Sequence, residues 1–472
     1  MFTLILPRTF TCALLLCAAV GAQAATLLVT TTADSYDGVC NRHCSLRDAV
    51  TAANQASGAS IILLPSGNYG LSRLDVLDQN DPHLPIDEDN NLSGDLDIRG
   101  DLLIKGAGIT KSSIDGLGVD VLRLRHRLVE VRPGARLVLD NLTLKGSYSA
   151  GNGGALENHG HALLRKVRAL DNMTHNNLSD APERGYGGAI ANYASLVVLS
   201  SHFERNNANA DFYAYGGAIY NSGSMLVRDS SFLRNRTETF SLVGPGGAIY
   251  NEGRAEIWGS YFSENLNAEY TQDGIVANEG GELTIGNSTL SGNWSKALSN
   301  GRADSPGVQR SKTTLTNVTI TRNTNGDVGE PGAVLNGGEL LIHNSIIAGN
   351  YDYYADLDNP LAVPSNCMNV GDHYSYQAVG LLRNDEQSNC SANLFVSGAA
   401  TFTQVLSPTP TQHKQTWTHD LLSGSPAIDA AIGDCPDHDQ RGAPRPQDGD
   451  GDDVAVCDLG AFELGAFEPT VQ

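Results

Sequence analysis

Short runs in which hydrophobic and polar residues alternate recur along this chain about every thirty residues. In the run SMLVRDSSFLRNR (224–236) the apolar side chains stand two positions apart, which is typical of β-strands. A helical repeat would space them three and four positions apart. Corners rich in glycine and asparagine separate the runs. A repeat of this length, built of short strands and tight corners, predicts that each repeat is one coil of a parallel β-helix.

Two recurring motifs mark equivalent positions in successive coils. One is GGALEN, which recurs as GGAIAN, GGAIYN (twice) and, weakened, DGIVAN, at 153–158, 187–192, 216–221, 246–251 and 273–278. The other is a serine, an apolar residue two positions later and an asparagine three positions beyond it, as in Ser201, Phe203 and Asn206. Because coils of a β-helix rise by about 4.8 Å, equivalent side chains should stack on one another.

Three stacks of side chains follow from the repeat. Two are internal and apolar, and we expect them to contain Ile190, Ile219 and Ile249, and Phe203, Phe232 and Phe262. The third is a structural ladder of asparagines, in which each amide bonds to the next while the asparagine tolerates the left-handed corner conformation. Its predicted members are Asn206, Asn235, Asn265, Asn293, Asn323 and Asn350.

Composition and charge agree with a solenoid and exclude some partners. The 51 glycines among 472 residues suit a coil with several tight corners. With 53 acidic against 31 basic residues, the net charge of −22 should repel nucleic acid and anionic membranes. We therefore expect no nucleic-acid partner.

The first 24 residues have the pattern of a secretory signal peptide. Arg8 is their single charge, an apolar stretch follows it, and Ala22-Gln23-Ala24 is a small-x-small cleavage site before Ala25. No later run of about twenty apolar residues exists. We expect a secreted or surface-exposed monomer with no transmembrane segment in the mature chain.

Six cysteines remain once the signal segment is removed, in an oxidising compartment. They allow fifteen disulfide connectivities, but the wide gaps along the chain favour pairing of neighbours. The predicted disulfides join Cys40 to Cys44, Cys367 to Cys390 and Cys435 to Cys457. Metal binding is the alternative, although no CxxC pair supports it.

Motifs at both ends of the chain resemble those of a known group of proteins. CSLRDAVTAAN (44–54), followed by IILLPSGNYGL, GDLDIRGDLLIKGAG (94–108) and SSIDG, resembles the CSLREA domain that opens many secreted bacterial β-helix proteins. Asp48 and Val50 replace the usual Glu and Ile. SGSPAIDA, DQRGAPRP and CDLGAFE (423–463) are similar to the choice-of-anchor Q module of the same proteins, and the coils are similar to repeats of chlamydial polymorphic outer membrane proteins.

This resemblance implies a right-handed β-helix at the cell surface or in the medium, with no activity shared across the group. Anchoring is in doubt, because few residues follow GAFE (460–463). The motifs divide the chain into a signal peptide, a CSLREA-like cap with the first coils, the β-helix repeats, late coils with a disulfide, and a C-terminal cap. The predicted bounds are 1–24, 25–116, 117–365, 366–422 and 423–472.

Both ends of the solenoid are expected to be covered, since open strand edges recruit other chains. Ser45 and Asp48 form a capping-box-like start for a short helix, whose apolar face would plug the first coil. We expect the disulfide-stapled segment from about residue 423 to cover the last coil, with Arg441 and Arg445 in its internal salt bridges. The predicted fold class is an all-β, right-handed parallel β-helix with these two caps.

Two acidic runs are candidate calcium sites. The sequence requires no cofactor, and calcium is the one cofactor that it leaves open. The first lies between residues 78 and 97, and the second imitates the start of an EF-hand loop but lacks its glycine and its flanking helices. For both runs the alternative is a solvated loop. The candidate ligands are Asp87, Glu88, Asp89, Asp448, Asp450 and Asp452.

A basic patch and a row of tyrosines are the remaining candidates. Arg123 and Arg125, with Lys166 two coils later, would supply the cations that a polysaccharide lyase uses on an acidic sugar. Tyr220 and Tyr250 should stack one coil apart on the outer surface, where they could bind an extended sugar. Tyr213 and Tyr215 adjoin them in a loop. For both sets the alternative is a purely structural role.

We therefore expect a secreted, non-catalytic interaction protein that binds an extracellular glycan or a cell surface. The alternatives are a lyase for an acidic polysaccharide and a structural protein of an extracellular matrix. The sequence contains no nucleophile triad, P-loop or dinucleotide fingerprint that would name another chemistry. It does not identify the ligand.

Overall fold

The fold is described from a computed structural model of the chain. It covers residues 25–73, 88–117, 126–176, 184–239, 244–268, 273–301, 311–325, 331–352, 363–384 and 388–466. The predicted signal peptide lies outside these residues and stays a prediction.

The described residues form a parallel β-helix, which confirms the predicted fold class. Along the longer strands, such as Ser224–Arg228 and Arg254–Trp258, buried residues alternate with more exposed ones, because successive side chains point to opposite faces and one face lines the solenoid interior. The largest sheet has twenty strands in this part of the chain. They are Ala25–Leu28, Ser60–Leu64, Gly67–Gly70, Asp101–Gly106, Ser112–Asp115, Arg136–Lys145, His161–Leu170, Ser195–Leu199, His202–Glu204, Ser224–Arg228, Ser231–Leu233, Arg254–Trp258, Tyr261–Ser263, Glu282–Gly286, Thr289–Ser291, Lys312–Thr316, Thr319–Thr321, Glu339–Ile347, Ser375–Arg383 and Leu394–Phe395.

A second sheet of ten parallel strands, counted over the same described ranges, closes the coils on another side. Its strands are Leu96–Ile98, Val129–Val131, Leu156–Asn158, Ile190–Asn192, Ile219–Asn221, Ile249–Asn251, Val276–Asn278, Leu298–Asn300, Val334–Asn336 and Cys367–Asn369. Smaller sheets lie at the corners. They contain Tyr148–Ser149, Met173–Asn176, Asn207–Ala210 and Arg236–Thr239, then Arg184–Tyr186 and Tyr213–Tyr215, then Thr324–Asn325, Tyr351–Asp352 and Val363–Pro364, and finally the hairpin Thr411–His413 with Thr416–Thr418.

The predicted internal stacks are present. Ile190 pairs in register with Ile219, and Ile219 with Ile249. The rings of Phe203 and Phe232 stack with centroids 4.8 Å apart, and those of Phe232 and Phe262 at 4.7 Å. All these side chains are buried. The core is therefore a set of continuous columns that run the length of the solenoid.

The predicted asparagines form a ladder, but they do not adopt the left-handed corner conformation. Asn206 Nδ2 donates to Asn235 Oδ1 at 2.8 Å, and the pattern repeats through Asn350. The left-handed residue is the one before each ladder asparagine, as at Arg205 (φ 53°) and Gly292 (φ 69°). The corner is bent one residue earlier than expected, which turns each asparagine side chain into the coil.

A second asparagine ladder was not predicted. It joins the asparagines that end the five copies of the GGAIxN motif and continues through three later coils, with Nδ2 to Oδ1 distances between 2.6 and 3.1 Å. Its members are Asn158, Asn192, Asn221, Asn251, Asn278, Asn300, Asn336 and Asn369. The signal was visible in the sequence, since every copy of the motif ends in asparagine.

The predicted N-terminal helix spans Leu46–Gln55 and begins with a capping box between Ser45 and Asp48. Its apolar face is buried against the first coils, as expected. Arg47 is also buried, which was not predicted. Its guanidinium pairs with Asp34 at 2.8 Å and donates to the carbonyl oxygens of Ser93 and Gly94, both at 2.8 Å. The helix is thereby tied to the segment that leads into the ten-stranded sheet.

The C-terminal module is stapled by a disulfide as predicted, but it packs on the side of the solenoid rather than over its last coil. Corner asparagines of three successive coils donate to its backbone: Asn287 to His438 (2.6 Å), Asn317 to Asp458 (3.1 Å) and Asn344 to Asp434 (3.2 Å). Strand Leu394–Phe395 pairs with the last long strand instead. The expected internal salt bridges are present, Arg441 with Asp439 at 2.7 Å and Arg445 with Glu463 at 3.2 Å.

All three predicted disulfides are present, joining Cys40 to Cys44, Cys367 to Cys390 and Cys435 to Cys457. They indicate an oxidising, extracytoplasmic compartment. Over the ranges given above, the structure contains no helix of the length and apolar character needed to cross a membrane.

Candidate functional site

The outer face of the ten-stranded sheet brings together charged and aromatic side chains from successive coils. Each three-residue strand points its middle side chain outward, and the strands are in register. The resulting column starts with carboxylates and continues with tyrosines: Asp97, Glu130, Glu157, Ala191, Tyr220 and Tyr250. We call this the carboxylate–tyrosine face.

The carboxylate end of this face is held by arginines. Arg127 contacts Glu130 at 2.5 Å and Glu157 at 3.0 Å through Nη1, and its Nε lies 3.6 Å from Asp95. Because the same nitrogen of Arg127 contacts both glutamates, the two carboxylate oxygens that it binds lie close together. All four side chains are largely buried. Arg127 therefore neutralises part of the repulsion between stacked carboxylates.

Arg132 completes the ion network on the side of the first coil. It contacts Glu130 Oε1 at 2.5 Å, Asp97 at 3.7 Å and also Asp89. Although burial alone would lower it, the pKa of Arg132 is raised by its hydrogen bond to Glu130 and the charges of Asp89 and Asp97. Five carboxylates in the described residues thus surround two arginines.

His159 links the two ends of the face. Its Nε2 lies 3.1 Å from Glu157 Oε1, and its ring stacks on Tyr193 at 4.8 Å between centroids. The hydrogen bond that His159 donates to Glu157 raises the pKa of His159. Burial raises the pKa of Glu157, but His159 and Arg127 outweigh it and the net change is downward. The lowered pKa favours the ionised form of Glu157, whereas a general acid for glycoside hydrolysis has a raised pKa.

Tyr220 and Tyr250 stack as predicted, with centroids 6.0 Å apart, but they are not exposed. Only 5% and 6% of their surfaces reach solvent, which corrects the expectation of an open aromatic row. Tyr186 lies over Tyr220 at 4.5 Å and Tyr215 over Tyr250 at 4.8 Å. Burial raises the pKa of both inner tyrosines, and both hydroxyls approach Glu252.

The outer layer of the tyrosine cluster is half exposed. Strands Arg184–Tyr186 and Tyr213–Tyr215 pair in parallel, so that the rings of Tyr186 and Tyr215 stack at 5.4 Å. Tyr213 continues this layer at 6.3 Å from Tyr215, and the guanidinium of Arg184 lies 5.6 Å above its ring. Phe212 beside it is 43% exposed. A fixed inner layer thus carries an accessible aromatic surface.

The predicted basic patch is not assembled at this face. Arg123, Arg125 and Asp87 lie outside the described residues. Lys166 is exposed at a corner of the long sheet, with φ 52°, and not on the ten-stranded sheet. Glu88 accepts from the backbone N–H groups of Asn90 and Ser93, both at 2.9 Å.

In the second acidic run, carboxylate oxygens of Asp429, Asp448 and Asp450 lie within 4.8 Å of one another. Asp429 was not predicted, and Asp452 is not in this group. Each of the three already accepts a backbone N–H group of the acidic run, as Asp448 does from Gly451 at 2.7 Å. Calcium at this group stays a prediction.

Sequence reasoning missed Asp97, Glu130 and Arg127, because neither LDI (96–98) nor VEV (129–131) carries the GGAI motif. Their register with Glu157 was the one available signal.

The chain matches no protein-family description and no curated protein.

Three solved structures are similar to the chain. They are the pectate lyase Pel9A (14% identity over 94% of this chain and 98% of that chain, TM-score 0.46), the PL6 family alginate lyase AlyGC (12%, 84% and 55%, TM-score 0.36) and the A-module of the Azotobacter vinelandii mannuronan C-5 epimerase AlgE6 (17%, 79% and 98%, TM-score 0.33). Similarity at this level does not identify a function for the chain.

Proposed function

We propose that this protein is a non-catalytic, extracellular β-helix protein that binds an extended glycan on the outer tyrosine layer. The observation that carries the proposal is the half-exposed layer of Tyr186, Tyr213 and Tyr215 on a buried inner layer. Sugar rings present apolar C–H faces that pack against aromatic rings. Because the inner rings hold the outer ones in place, little conformational entropy is lost on binding.

Charge favours a neutral glycan over an acidic one. The whole chain carries a net charge of −22, and the described residues of the carboxylate end include five carboxylates. A polyuronate would approach against this field unless cations bridged the two. Partly exposed carboxylates at the carboxylate end of the face, such as Asp89, can instead accept hydrogen bonds from sugar hydroxyls.

The same contacts argue against a lyase at this face. A lyase needs a cation free to neutralise the uronate and a base free to take the α proton. Both Arg127 and Arg132 are held by several carboxylates, and the raised pKa of His159 favours its protonated form. The arrangement therefore supports binding better than elimination.

The test is a binding panel on the full exported chain. It contains neutral glycans (cellulose, xylan, mannan, chitin) and the acidic glycans pectate and alginate, with and without calcium. The variants are Tyr186→Ala, Tyr215→Ala and their combination, with Tyr374→Ala as the matched control. Tyr374 is a 41% exposed tyrosine at the far end of the solenoid.

We expect a neutral glycan to bind, and the double variant to bind it roughly tenfold or more weakly, since a stacked ring contributes about 1 kcal/mol. Tyr374→Ala should bind like wild type. Circular dichroism melts check that the variants are folded. Binding that is indifferent to both tyrosines would refute the proposal. Unsaturated, ultraviolet-absorbing products from pectate or alginate would favour the lyase instead.

A further inference from the structure

An apolar stripe runs along the outer face of the twenty-stranded sheet in the N-terminal half of the solenoid. Six aliphatic side chains occupy the middle outward position of six successive strands, paired in register. They are half exposed: Ile61, Leu103, Val138, Leu163, Val197 and Leu226. With strands about 4.8 Å apart, the stripe is about 24 Å long.

The later coils show that the fold does not require aliphatic residues at this position. Continuing the same column, Leu226 pairs with Glu256, and Thr284, Thr314, Leu341 and Gln377 follow on successive strands. Single exposed aliphatic residues are common on protein surfaces, but six in register form a continuous patch. Such a patch marks a surface that another molecule covers.

We propose that a second copy of this chain covers the stripe, sheet face against sheet face, about a two-fold axis parallel to the solenoid axis. One row of residues flanks the stripe on each side. The two-fold axis places each row of one copy over the other row of its partner. Asp101 would then face Lys105, both of them exposed. On the next rung Arg136 would face Asp140, which already pairs with Arg165 of its own chain at 2.9 Å and adds little. On the rung after that, His161 faces Arg165 and adds no attraction. The Asp101–Lys105 pair, made twice across the axis, is what makes the face complementary to itself in charge.

The size of the stripe sets the strength of the dimer. A patch about 24 Å long and five strand residues, or about 16 Å, wide buries less than the roughly 800 Å² per partner of a standard interface. Exposed Leu28 and Leu63 extend it at the first coils. We therefore expect a reversible dimer with a dissociation constant in the micromolar range.

Sedimentation velocity tests whether the chain dimerises. It is measured on the full exported chain at concentrations from about 1 μM to about 1 mM. Wild type should pass from monomer to dimer, and Leu163→Glu should weaken the association at least about tenfold. Leu341→Glu is the matched control, since Leu341 holds the same column position between threonine and glutamine. Monomer at every concentration, or equal effects of the two variants, would overturn the proposal.

Charge exchange gives a second test that leaves the apolar face intact. Asp101→Lys and Lys105→Asp should each weaken the dimer, because each places like charges opposite one another across the axis. An equal mixture of the two variants should restore association, since unlike charges then face at both positions. Failure of the mixture to restore it would also overturn the proposal.

Discussion

Replacing Asn235 by alanine tests whether the asparagine ladder stabilises the solenoid. Asn235 is fully buried in the middle of the first ladder. Its Nδ2 donates to Phe203 O and to Asn265 Oδ1, both at 3.0 Å. Its Oδ1 accepts from the backbone N–H (3.0 Å) and Nδ2 (2.8 Å) of Asn206. Alanine removes all four of these hydrogen bonds.

The magnitude follows from these contacts. A hydrogen bond between neutral groups contributes about 1 kcal/mol net, so four give about 4 kcal/mol. The groups left behind are not all stranded, since Asn206 Nδ2 still donates to Ala169 O at 3.0 Å and Asn265 Oδ1 still accepts from the backbone of residue 235. We expect the free energy of unfolding to fall by about 3–5 kcal/mol.

Urea unfolding followed by circular dichroism measures this change. The control is Asn209→Ala, at a half-buried asparagine on the outer surface, bonded to Glu238 and His175. We expect it to lose about 1 kcal/mol or less, because water can replace its partners. If Asn235→Ala loses no more than Asn209→Ala, the ladder does not stabilise the coils and the reasoning is refuted.

Two other outcomes follow from the packing and the electrostatics. Phe232→Asp places a charge between the rings of Phe203 and Phe262 at a cost of several kcal/mol, and should abolish cooperative melting of the β-sheet. A melt like that of wild type would show that the residue does not point inward. Although burial raises the pKa of Glu204, hydrogen bonds from Arg168 and His202 lower it to about 2. Because this pKa is below its unfolded value, the stabilisation is present above about pH 4.5 and is lost as the pH falls toward 2. Glu204→Gln should therefore cost about 1–2 kcal/mol at pH 6 and almost nothing near pH 2, and a cost independent of pH in urea titrations would contradict the assignment.

Much of the fold could be predicted from the sequence, because the solenoid is built from local rules. The position of Phe232 inside a coil depends only on alternation along its own strand and on repetition at the next coil. The capping box at Ser45 and Asp48 involves residues three apart. Neighbouring cysteines were paired on spacing alone, and the three disulfides agree.

The candidate site could be predicted only in part. Tyr220 and Tyr250 were correctly placed outside the coil and in register. Their burial depends on Tyr186 and Tyr215, which arrive from separate loops, and no periodicity fixes where a loop side chain lies.

The sequence by itself therefore determined the architecture of the coils: their strand pattern, their internal stacks, one asparagine ladder and the helix at the N-terminal end. The tertiary structure alone decided what covers the outside of those coils. The C-terminal module lies on the side because corner asparagines at Asn287, Asn317 and Asn344 offer amides to its backbone. Glu130 and Glu157 meet at Arg127 because parallel register aligns residues far apart in the chain. Stacking repeats a local pattern, whereas each of these contacts joins segments whose mutual placement no local pattern encodes.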